Sequence, residues 1–445
     1  MIHDMRLVQR NLPCFVSSVF LLIFMSCAPR NVKFYSADSP HANNSIFTPR
    51  EFRRILKHAS LPQVSDPTNR HLDSEPAAQL GHRLFFDSRL SVNNKINCAT
   101  CHDPAKGLAD GKPIAEGLGT GRRHTPSLWN VAYNRWFFWD GRADSLWAQA
   151  LHPIESPAEM GSSRLAAAHL IYGDAELRRL YESTFGELPT LSDDMRFPAQ
   201  GKPASSVDLN ADDAAWKSMN ADDQDAINRV FANIGKSLAA YESKLVSRRS
   251  PFDVFAEGLA TDDKNKMAVL SPAAQRGLML FVGSANCRVC HAGPNFTDGE
   301  FHDTRVPTLD GEQPTDPGRF NGVNEVIHDP FNATGVYSDE GTGSLVEFLI
   351  NNPENWGRFK TPSLRNVART APYMHQGQFA TLNEVIDYYS TLDKALPAGH
   401  HGETILQPLF LSDEEKHDLV AFLESLTDEN IPPEWLVRAT AATVP

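Results

Sequence analysis

Two short motifs of the pattern Cys-x-x-Cys-His constrain this chain more than any other feature of its sequence. They read CATCH and CRVCH, and their residues are Cys98, Cys101 and His102 in the first and Cys287, Cys290 and His291 in the second. In this pattern the two cysteines bond covalently to the vinyl groups of haem c, and the adjoining histidine is the proximal ligand of the iron. The sequence therefore predicts two covalently bound haem c groups, and a zinc or redox-dithiol site is the weaker alternative.

The remaining cysteines belong to a segment that resembles an export signal. Arg6 and Arg10 precede the apolar run CFVSSVFLLIFMSC, which contains Cys14 and ends at Cys27. The run is too short to favour a transmembrane anchor. Residues 24–27 match a lipoprotein processing sequence imperfectly, so lipidation of Cys27 and simple cleavage nearby both stay open. We expect a periplasmic protein, either free or attached to the membrane only through a lipidated Cys27.

Length and charge narrow the class of protein further. At 445 residues the chain is long enough for two domains, each with its own apolar core. Its formal net charge of -13 argues against nucleic acid or an anionic membrane surface as the main partner. A basic protein partner is compatible with that charge, although such a charge often serves solubility alone.

The chain also contains a degenerate internal repeat around the two motifs. Segment 77–86 (AAQLGHRLFF) resembles segment 273–282 (AAQRGLMLFV), and each precedes its motif. Segment 124–132 (HTPSLWNVA) resembles segment 360–368 (KTPSLRNVA), and each follows its motif. Strand signals are few. We therefore predict a mainly α fold with two tandem cytochrome c-like haem domains and the functional site at their interface.

The same register pairs residues that could lie on the open face of each haem. It places Trp139 opposite His375 and Pro153 opposite Tyr389. Proline has no side-chain donor atom, so the first iron would keep an open position, as peroxide chemistry requires. Glu159 follows soon after, and a carboxylate there could move a proton between the two peroxide oxygens. The alternative for Glu159 is a solvated surface charge.

In the second copy, residues 381–392 (TLNEVIDYYSTL) predict a helix. Thr381 is the expected N-cap, and Glu384 completes a capping box. The spacing of apolar residues predicts that Tyr389 lies on the buried face and that Tyr388 points elsewhere. Tyr389 could then be the sixth ligand of the second haem, and the alternative is a tyrosine packed in the core.

These segments are similar to those of the bacterial dihaem cytochrome c peroxidases and their MauG-type relatives, over roughly residues 75–430. The resemblance rests on CATCH, RRHTPSLWN, FWDGRADSLWAQ, PIESPAEM, CRVCH, KTPSLRNVARTAPYMHQG and the helix that contains VIDYY. It implies that Glu159 is the acid/base at the peroxidatic haem. It also implies that Trp139 lies between the haems and that Gln149 sits in the peroxidatic pocket.

Within this family the chain resembles the MauG-like branch more closely. Classical members have a methionine as the distal ligand of the C-terminal haem, whereas MauG-like members have a tyrosine, here Tyr389. The removable distal histidine of classical members falls at Glu116, so activation by displacing such a ligand is not expected. The tryptophan through which MauG oxidises its protein substrate falls at Ala285, so the same substrate is not implied.

The resemblance also implies one calcium ion between the haems, on weaker grounds. The carbonyl oxygens of Thr370 and Pro372 would bind it. An asparagine ligand of the relatives is replaced by His124, and imidazole is a poor ligand for calcium.

The domain boundaries that we predict are an export signal at 1–27, a linker at 28–70, an N-terminal peroxidatic haem domain at 71–250, a C-terminal electron-transfer haem domain at 251–430 and a tail at 431–445. The predicted function is reduction of hydrogen peroxide at the N-terminal haem. A small cytochrome c or a cupredoxin would supply electrons through the C-terminal haem. One alternative is a MauG-like enzyme that oxidises residues of a partner protein, and a second is a non-catalytic dihaem electron-transfer cytochrome.

Overall fold

The computed structural model describes residues 47–204, 212–309, 316–340, 345–397, 405–428, 430 and 432–439. The predicted export signal, with Cys27, lies outside the described residues. The described residues belong to one compact unit. None of their helices has both the length and the apolar character that crossing a membrane requires.

Helices dominate the described residues, as the sequence predicted. They are α1 (Pro49–Leu56), α2 (Glu75–Phe85), α3 (Cys98–Cys101), α4 (Leu146–Glu155), α5 (Arg164–Gly173), α6 (Ala175–Phe185), α7 (Asp212–Ser218), α8 (Ala221–Glu242), α9 (Pro251–Thr261), α10 (Lys264–Met267), α11 (Pro272–Val282), α12 (Arg319–His328), α13 (Leu382–Thr391) and α14 (Asp413–Glu424). Two short strands, β1 (Phe301–His302) and β2 (Phe359–Lys360), pair antiparallel.

Local sequence signals set several of the helix starts. At α13 the Thr381 side chain accepts from the backbone N–H of Glu384, and the Glu384 side chain caps the Thr381 backbone in return, so the predicted capping box is confirmed. Ser412 and Glu415 form the same reciprocal pair at α14. Each box satisfies backbone N–H groups that the first helical turn leaves without partners.

The first apolar core surrounds α8. Its stripe of apolar residues is buried throughout, as expected from the sequence, and consists of Ile227, Phe231, Ile234, Leu238 and Tyr241 on the helix and Leu245 after it. Helix α8 packs against α2 and α4. These contacts hold the segments on either side of the first Cys-x-x-Cys-His motif in fixed positions.

A second core forms around the second motif, where α11 packs against α14. Phenylalanine rings dominate it. The ring centroids of Phe281 and Phe422 are 5.0 Å apart, and those of Phe252 and Phe296 are 5.3 Å apart in an edge-to-face arrangement. Each motif thus has a separate apolar core beside it.

The first and last described segments each pack against the core that is farther away in the sequence. Phe52 and Ile55 of α1, within the expected linker, are fully buried in the second core. In the tail, the Trp435 carbonyl accepts from the Tyr241 hydroxyl at 2.7 Å, next to the first core. The described parts of the expected linker and tail therefore belong to the packed structure.

Two equivalent asparagines fix the segment that joins the two halves. Asn130 and Asn366 both have a left-handed backbone, each with φ of 58°. The Asn130 side chain donates to the Ser247 carbonyl at 2.9 Å, and the Ser247 hydroxyl donates to the Asn366 side chain at 3.1 Å. Equivalent asparagines of the two repeats thus both hydrogen-bond with Ser247, in the segment that joins the repeats.

Equivalent glycines allow the closest helix contacts in both copies. A methyl group added at Gly81 of α2 would lie 1.9 Å from the Ser237 carbonyl oxygen of α8. A methyl group at Gly277 of α11 would lie 1.9 Å from the Asp418 carbonyl oxygen of α14. Both contacts are with backbone atoms, whose displacement would cost folding free energy. Each helix pair therefore needs a residue without a side chain.

We expect Gly277→Ala to lower the free energy of unfolding by roughly 1–3 kcal/mol, the usual cost of overpacking a core. The matched control is Gly173→Ala at the exposed end of α5, where an added methyl group meets no atom within 4 Å. That change should be neutral or slightly stabilising. Denaturant unfolding followed by circular dichroism measures both. Equal stability of the two variants would contradict the close approach of α11 and α14.

Candidate functional site

The first motif holds the imidazole of His102 through one of its two ring nitrogens. Helix α3 carries Cys98 and Cys101, and His102 ends it, with its backbone N–H donating to the Cys98 carbonyl at 2.8 Å. Nδ1 of His102 lies 3.1 Å from the Leu108 carbonyl oxygen and donates to it. Because Nδ1 carries the proton, Nε2 keeps its lone pair for a metal. Burial lowers the pKa of His102, which favours this neutral form.

The second motif repeats this arrangement. Nδ1 of His291 lies 3.1 Å from the Phe296 carbonyl oxygen. The carbonyl of Pro362 lies beside the same ring, as that of the equivalent Pro126 does beside His102. The sequence had not drawn attention to His58, whose Nε2 lies 3.1 Å from the His291 carbonyl oxygen in the second core.

The four cysteines of the motifs are free thiols and are half-buried. Burial raises the pKa of the Cys101 thiol to about 11 and that of Cys287 to about 12. Cys98 packs against the first core and Cys287 against the second. Each motif thus offers two unbridged thiols, a neutral imidazole with Nε2 available, and an apolar wall. These residues fit haem c, which needs each of those features.

Asp298 and His302 stand next to the second motif and were not predicted from the sequence. Nε2 of His302 lies 2.9 Å from a carboxylate oxygen of Asp298, and Cys290 lies in the same cluster. The Asp298 carboxylate and Cys290 raise the pKa of His302 to about 11. Since Cys290 belongs to the haem-attachment motif, the cluster is part of the wall of that site.

Helix α4, which follows the first motif in the chain, has one half-exposed face. Gln149 and Pro153 lie one turn apart on this face, whereas most of the helix is buried. Glu159 follows in a tight turn, where its carbonyl accepts from the Leu118 N–H at 3.0 Å. The charge of Glu159 contributes to the raised pKa of Cys101, after burial and Asp110. Glu159 therefore lies on the same side of the first core as the CATCH motif.

Glu116 takes no part in that arrangement. Its carboxylate forms an ion pair with Lys112 at the protein surface. The carboxylate therefore points to solvent.

Trp139 lies between the two repeats. Its indole Nε1–H donates to the His124 carbonyl at 2.8 Å, and its ring centroid is 6.5 Å from that of His375. The His375 ring in turn stacks on Phe359, with centroids 3.8 Å apart. Burial lowers the pKa of His375 to about 4, so this ring is neutral at pH 7. An edge-to-face contact and then a stacked contact thus connect Trp139 with two aromatic rings of the second half of the protein.

The backbone around Trp139 and His375 follows the predicted register. Phe137 bridges Ala143 around Trp139, and Tyr373 bridges Phe379 around His375, in two isolated antiparallel bridges at equivalent places. The pairing of Trp139 with His375 by the internal repeat is therefore reproduced in the fold.

The prediction for the two tyrosines of α13 was partly wrong. Tyr388 is the more buried one, at 4% exposure, and its hydroxyl donates to the Thr304 carbonyl at 2.7 Å. Tyr389 is half-buried. Burial raises its pKa, and Cys287 and Cys290 add to the effect, so its phenol lies near the CRVCH motif. The spacing of apolar residues along α13 could not distinguish a tyrosine that packs in the core from one that lies near the haem-attachment motif.

The chain is similar in sequence and fold to known di-haem proteins. Residues 75–261 match the family described as di-haem cytochrome c peroxidase. The cytochrome-c peroxidase IdrP2 of Denitromonas iodatirespirans is 32% identical over 356 residues, which cover 79% of this chain and 81% of that protein. The methylamine utilization protein MauG of Methylorubrum extorquens is 31% identical over 378 residues, which cover 84% of each.

A solved structure has the same fold. A MauG-like protein associated with microbial copper homeostasis matches with a TM-score of 0.60 at 27% identity, over 85% of this chain and 98% of that one. Because the sequence similarity extends over most of each chain, the protein belongs to the di-haem cytochrome c peroxidase family, whose members are haem peroxidases that act on peroxide.

Proposed function

We propose that this protein reduces hydrogen peroxide at a haem bound to the CATCH motif, with electrons relayed through a haem bound to the CRVCH motif. The observation that carries the proposal is the difference between two otherwise equivalent sites. Pro153 and Glu159 belong to the first site, whereas Tyr389 belongs to the second. The first haem would keep an open iron position, where peroxide can bind.

Glu159 is the proton-transfer residue of this proposal. When haem is bound, its iron supplies the binding and reduction of peroxide. The Glu159 carboxylate would accept a proton from one peroxide oxygen and give it to the other, which would leave as water. Gln149, one turn before Pro153 on α4, would hydrogen-bond with peroxide and orient it.

Trp139 connects the two haems in this proposal. Its position is held by the hydrogen bond from Nε1 to the His124 carbonyl and by the contact with the ring of His375. A fixed aromatic ring at this point shortens the path for an electron between the two haems. A basic partner protein, such as a small cytochrome c or a cupredoxin, would match the net charge of -13 as the electron donor.

The test is Glu159→Gln in the protein with both haems bound. The amide keeps the shape of the side chain but cannot shuttle a proton, so the rate constant for reaction with peroxide should fall about 10²- to 10⁴-fold. Stopped-flow absorption measures it. Glu116→Gln is the matched control, because Glu116 is near the same motif but points to solvent, and it should react like the wild type. A normal rate in the Glu159 variant would remove Glu159 from the mechanism.

Tyr389 favours the MauG-like alternative as a second candidate function. The phenol lies near Cys287 and Cys290, and its hydroxyl has no hydrogen-bond partner among the described residues. A phenolate ligand stabilises oxidised iron, whereas methionine stabilises the reduced form. A tyrosine-ligated second haem would store oxidising equivalents, which a MauG-like enzyme needs in order to oxidise residues of a partner protein.

We expect Tyr389→Met to raise the reduction potential of the second haem and to shorten the lifetime of the spectral change that peroxide produces. Tyr389→Phe should alter the ferric spectrum of that haem. Tyr388→Phe is the matched control, since its hydroxyl is bound to the Thr304 carbonyl, and its ferric spectrum should be unchanged. Absorption and electron paramagnetic resonance spectra distinguish these outcomes. If Tyr389→Phe keeps the wild-type ferric spectrum, Tyr389 is a packing residue and the classical peroxidase function is favoured.

We further propose that the protein works in the periplasm. The apolar N-terminal run ending at Cys27 supports export, and haem c attachment is compatible with an exported protein. Attachment to the membrane through a lipidated Cys27 is part of this proposal only as an alternative to cleavage.

The residues near Thr370 and Pro372 do not fit a calcium ion well. Calcium binds oxygen ligands. One ring nitrogen of His124 lies 2.7 Å from the Lys112 carbonyl oxygen, and the Thr370 carbonyl lies beside the same ring. The imidazole therefore already lies beside an oxygen that calcium would need, and no step of the proposed mechanism depends on calcium.

Metal analysis of the purified protein should accordingly find much less than one calcium ion per chain, and treatment with a calcium chelator should leave the haem spectra unchanged. His124→Asn restores an oxygen ligand and should increase the bound calcium. Stoichiometric calcium in the wild type that survives dialysis would show that the carbonyls of Thr370 and Pro372 bind it despite the imidazole.

A further inference from the structure

Glu242, the last residue of α8, is a buried acid without a partner. The side chain is 5% exposed, and its Oε2 atom makes no hydrogen bond within the described residues. Burying an ionised carboxylate without a partner is costly, so such a group either finds a cation or stays protonated. Burial raises the pKa of Glu242 to about 8, and no charge or hydrogen bond opposes that effect.

The other buried acids of the described residues have partners. Asp140 is bound by Arg123 and Arg142, and Asp418 is bound by Arg276. Asp110 and Asp428 accept hydrogen bonds from Thr125 and from the backbone N–H groups of Arg248 and Arg249. An acid kept only for packing could be replaced by an apolar residue at no cost. The contrast therefore points to a function for an unpaired carboxyl group at this place.

The groups around Glu242 do not neutralise it. Cys98 on α3 and Tyr241 on α8 are the titratable groups on which its charge acts. The remaining charged or titratable groups on α2, α4 and α5, the helices that pack against α8, have partners of their own. The ring of His82 stacks on Tyr241, Arg83 pairs with Glu176, Glu75 with Lys244, His152 with Asp329, Glu155 with Arg164, His169 with the carbonyls of Phe197 and Pro198, and the Tyr172 ring with Arg178.

Cys98 connects Glu242 with the first haem. Burial and then the charge of Glu242 are the two largest causes of the raised pKa of the Cys98 thiol, ahead of the neighbouring Cys101. In haem c the Cys98 sulfur bonds to a carbon of the porphyrin and does not ligate the iron. Cys98 also packs against the first apolar core, which contains Tyr241, the residue before Glu242. Glu242 therefore lies on the side of α8 near Cys98, and it would be close to the first haem on the condition, which belongs to the proposed function, that haem is attached at Cys98.

We propose that Glu242 exchanges a proton with water in step with the redox state of the first haem. When that haem gains one electron, delivered through the second haem, the Glu242 carboxylate takes up one proton and becomes neutral. When the electron leaves, the Glu242 carboxyl group releases the proton. Charge is balanced in both directions, because each electron is accompanied by one proton.

The physical basis is the interaction of two charges in a poorly polarisable environment. The added electron makes the haem more negative, which raises the proton affinity of a carboxylate nearby. By linkage, protonation of Glu242 must favour reduction of the haem by the same factor. Peroxide reduction consumes protons as well as electrons, so a buried proton store beside the reacting haem would serve that reaction.

Spectroelectrochemical titration of the haem-loaded protein between about pH 6 and 9 tests this proposal. In the wild type, the reduction equilibrium constant of the first haem should fall at least about fivefold over this range, the lower end of ordinary coupling between two sites. In Glu242→Gln the dependence should be largely lost, and in Glu242→Asp it should be kept. The reduction equilibrium constant of the second haem should depend on pH in the same way in the wild type and in every variant. Asp222→Asn, which removes an exposed acid of the same helix, is the matched control and should behave as the wild type.

Redox-induced infrared difference spectra supply a second readout. Reduction should produce the carbonyl band of a protonated carboxyl group in the wild type, and the band should be missing in Glu242→Gln. The proposal would be overturned if the wild type and Glu242→Gln showed the same pH dependence of the first haem's reduction potential and the same carbonyl band. It would also be overturned if that potential did not change with pH in the wild type. Intact mass must report two haems in each variant. No peroxide is used, so failure of haem attachment or of peroxidase activity is seen separately.

Discussion

The hydrogen bond from the proximal imidazole to a loop carbonyl is the interaction on which both sites depend. Nδ1 of His102 and of His291 each lies 3.1 Å from a carbonyl oxygen, of Leu108 and of Phe296 respectively. Each bond selects the tautomer that leaves Nε2 for iron and fixes the plane of the ring. The close helix pairs beneath, made through Gly81 and Gly277, keep the loops that supply these carbonyls in place.

In the proposed function, the important difference between the two copies is at Pro153 and Tyr389, which the internal repeat pairs. A duplicated fold places equivalent residues at equivalent positions, so a single substitution can give one iron an open face and the other a ligand. Pro153 and Tyr389 are such a pair. The proposed division of labour between a peroxide-reacting haem and an electron-storing haem follows from this difference, and Trp139 with His375 provides the contact between them.

The distribution of buried charge fits this division. Near the boundary of the repeats, Asp140 is held by Arg123 and Arg142, so its charge is balanced and contributes to the alignment of the segments. Glu242 lies beside the first motif without such a cation. A paired acid keeps its charge when the electron count nearby changes, whereas an unpaired one can respond by binding a proton.

The sequence by itself determined the chemistry of attachment, the tandem repeat and much of the helical structure. These features depend on local patterns: the spacing of cysteines and histidine, the capping boxes of α13 and α14, and the apolar stripe of α8. Only the tertiary structure decided that Tyr388 packs in the core while Tyr389 faces the CRVCH motif, that His124 lies beside the carbonyls of Lys112 and Thr370, and that Glu242 is buried next to Cys98. The physical reason is that the environment of a side chain depends on segments far away in the chain. A helical period gives the angle of a residue around its own helix, but it does not give what lies on the other side.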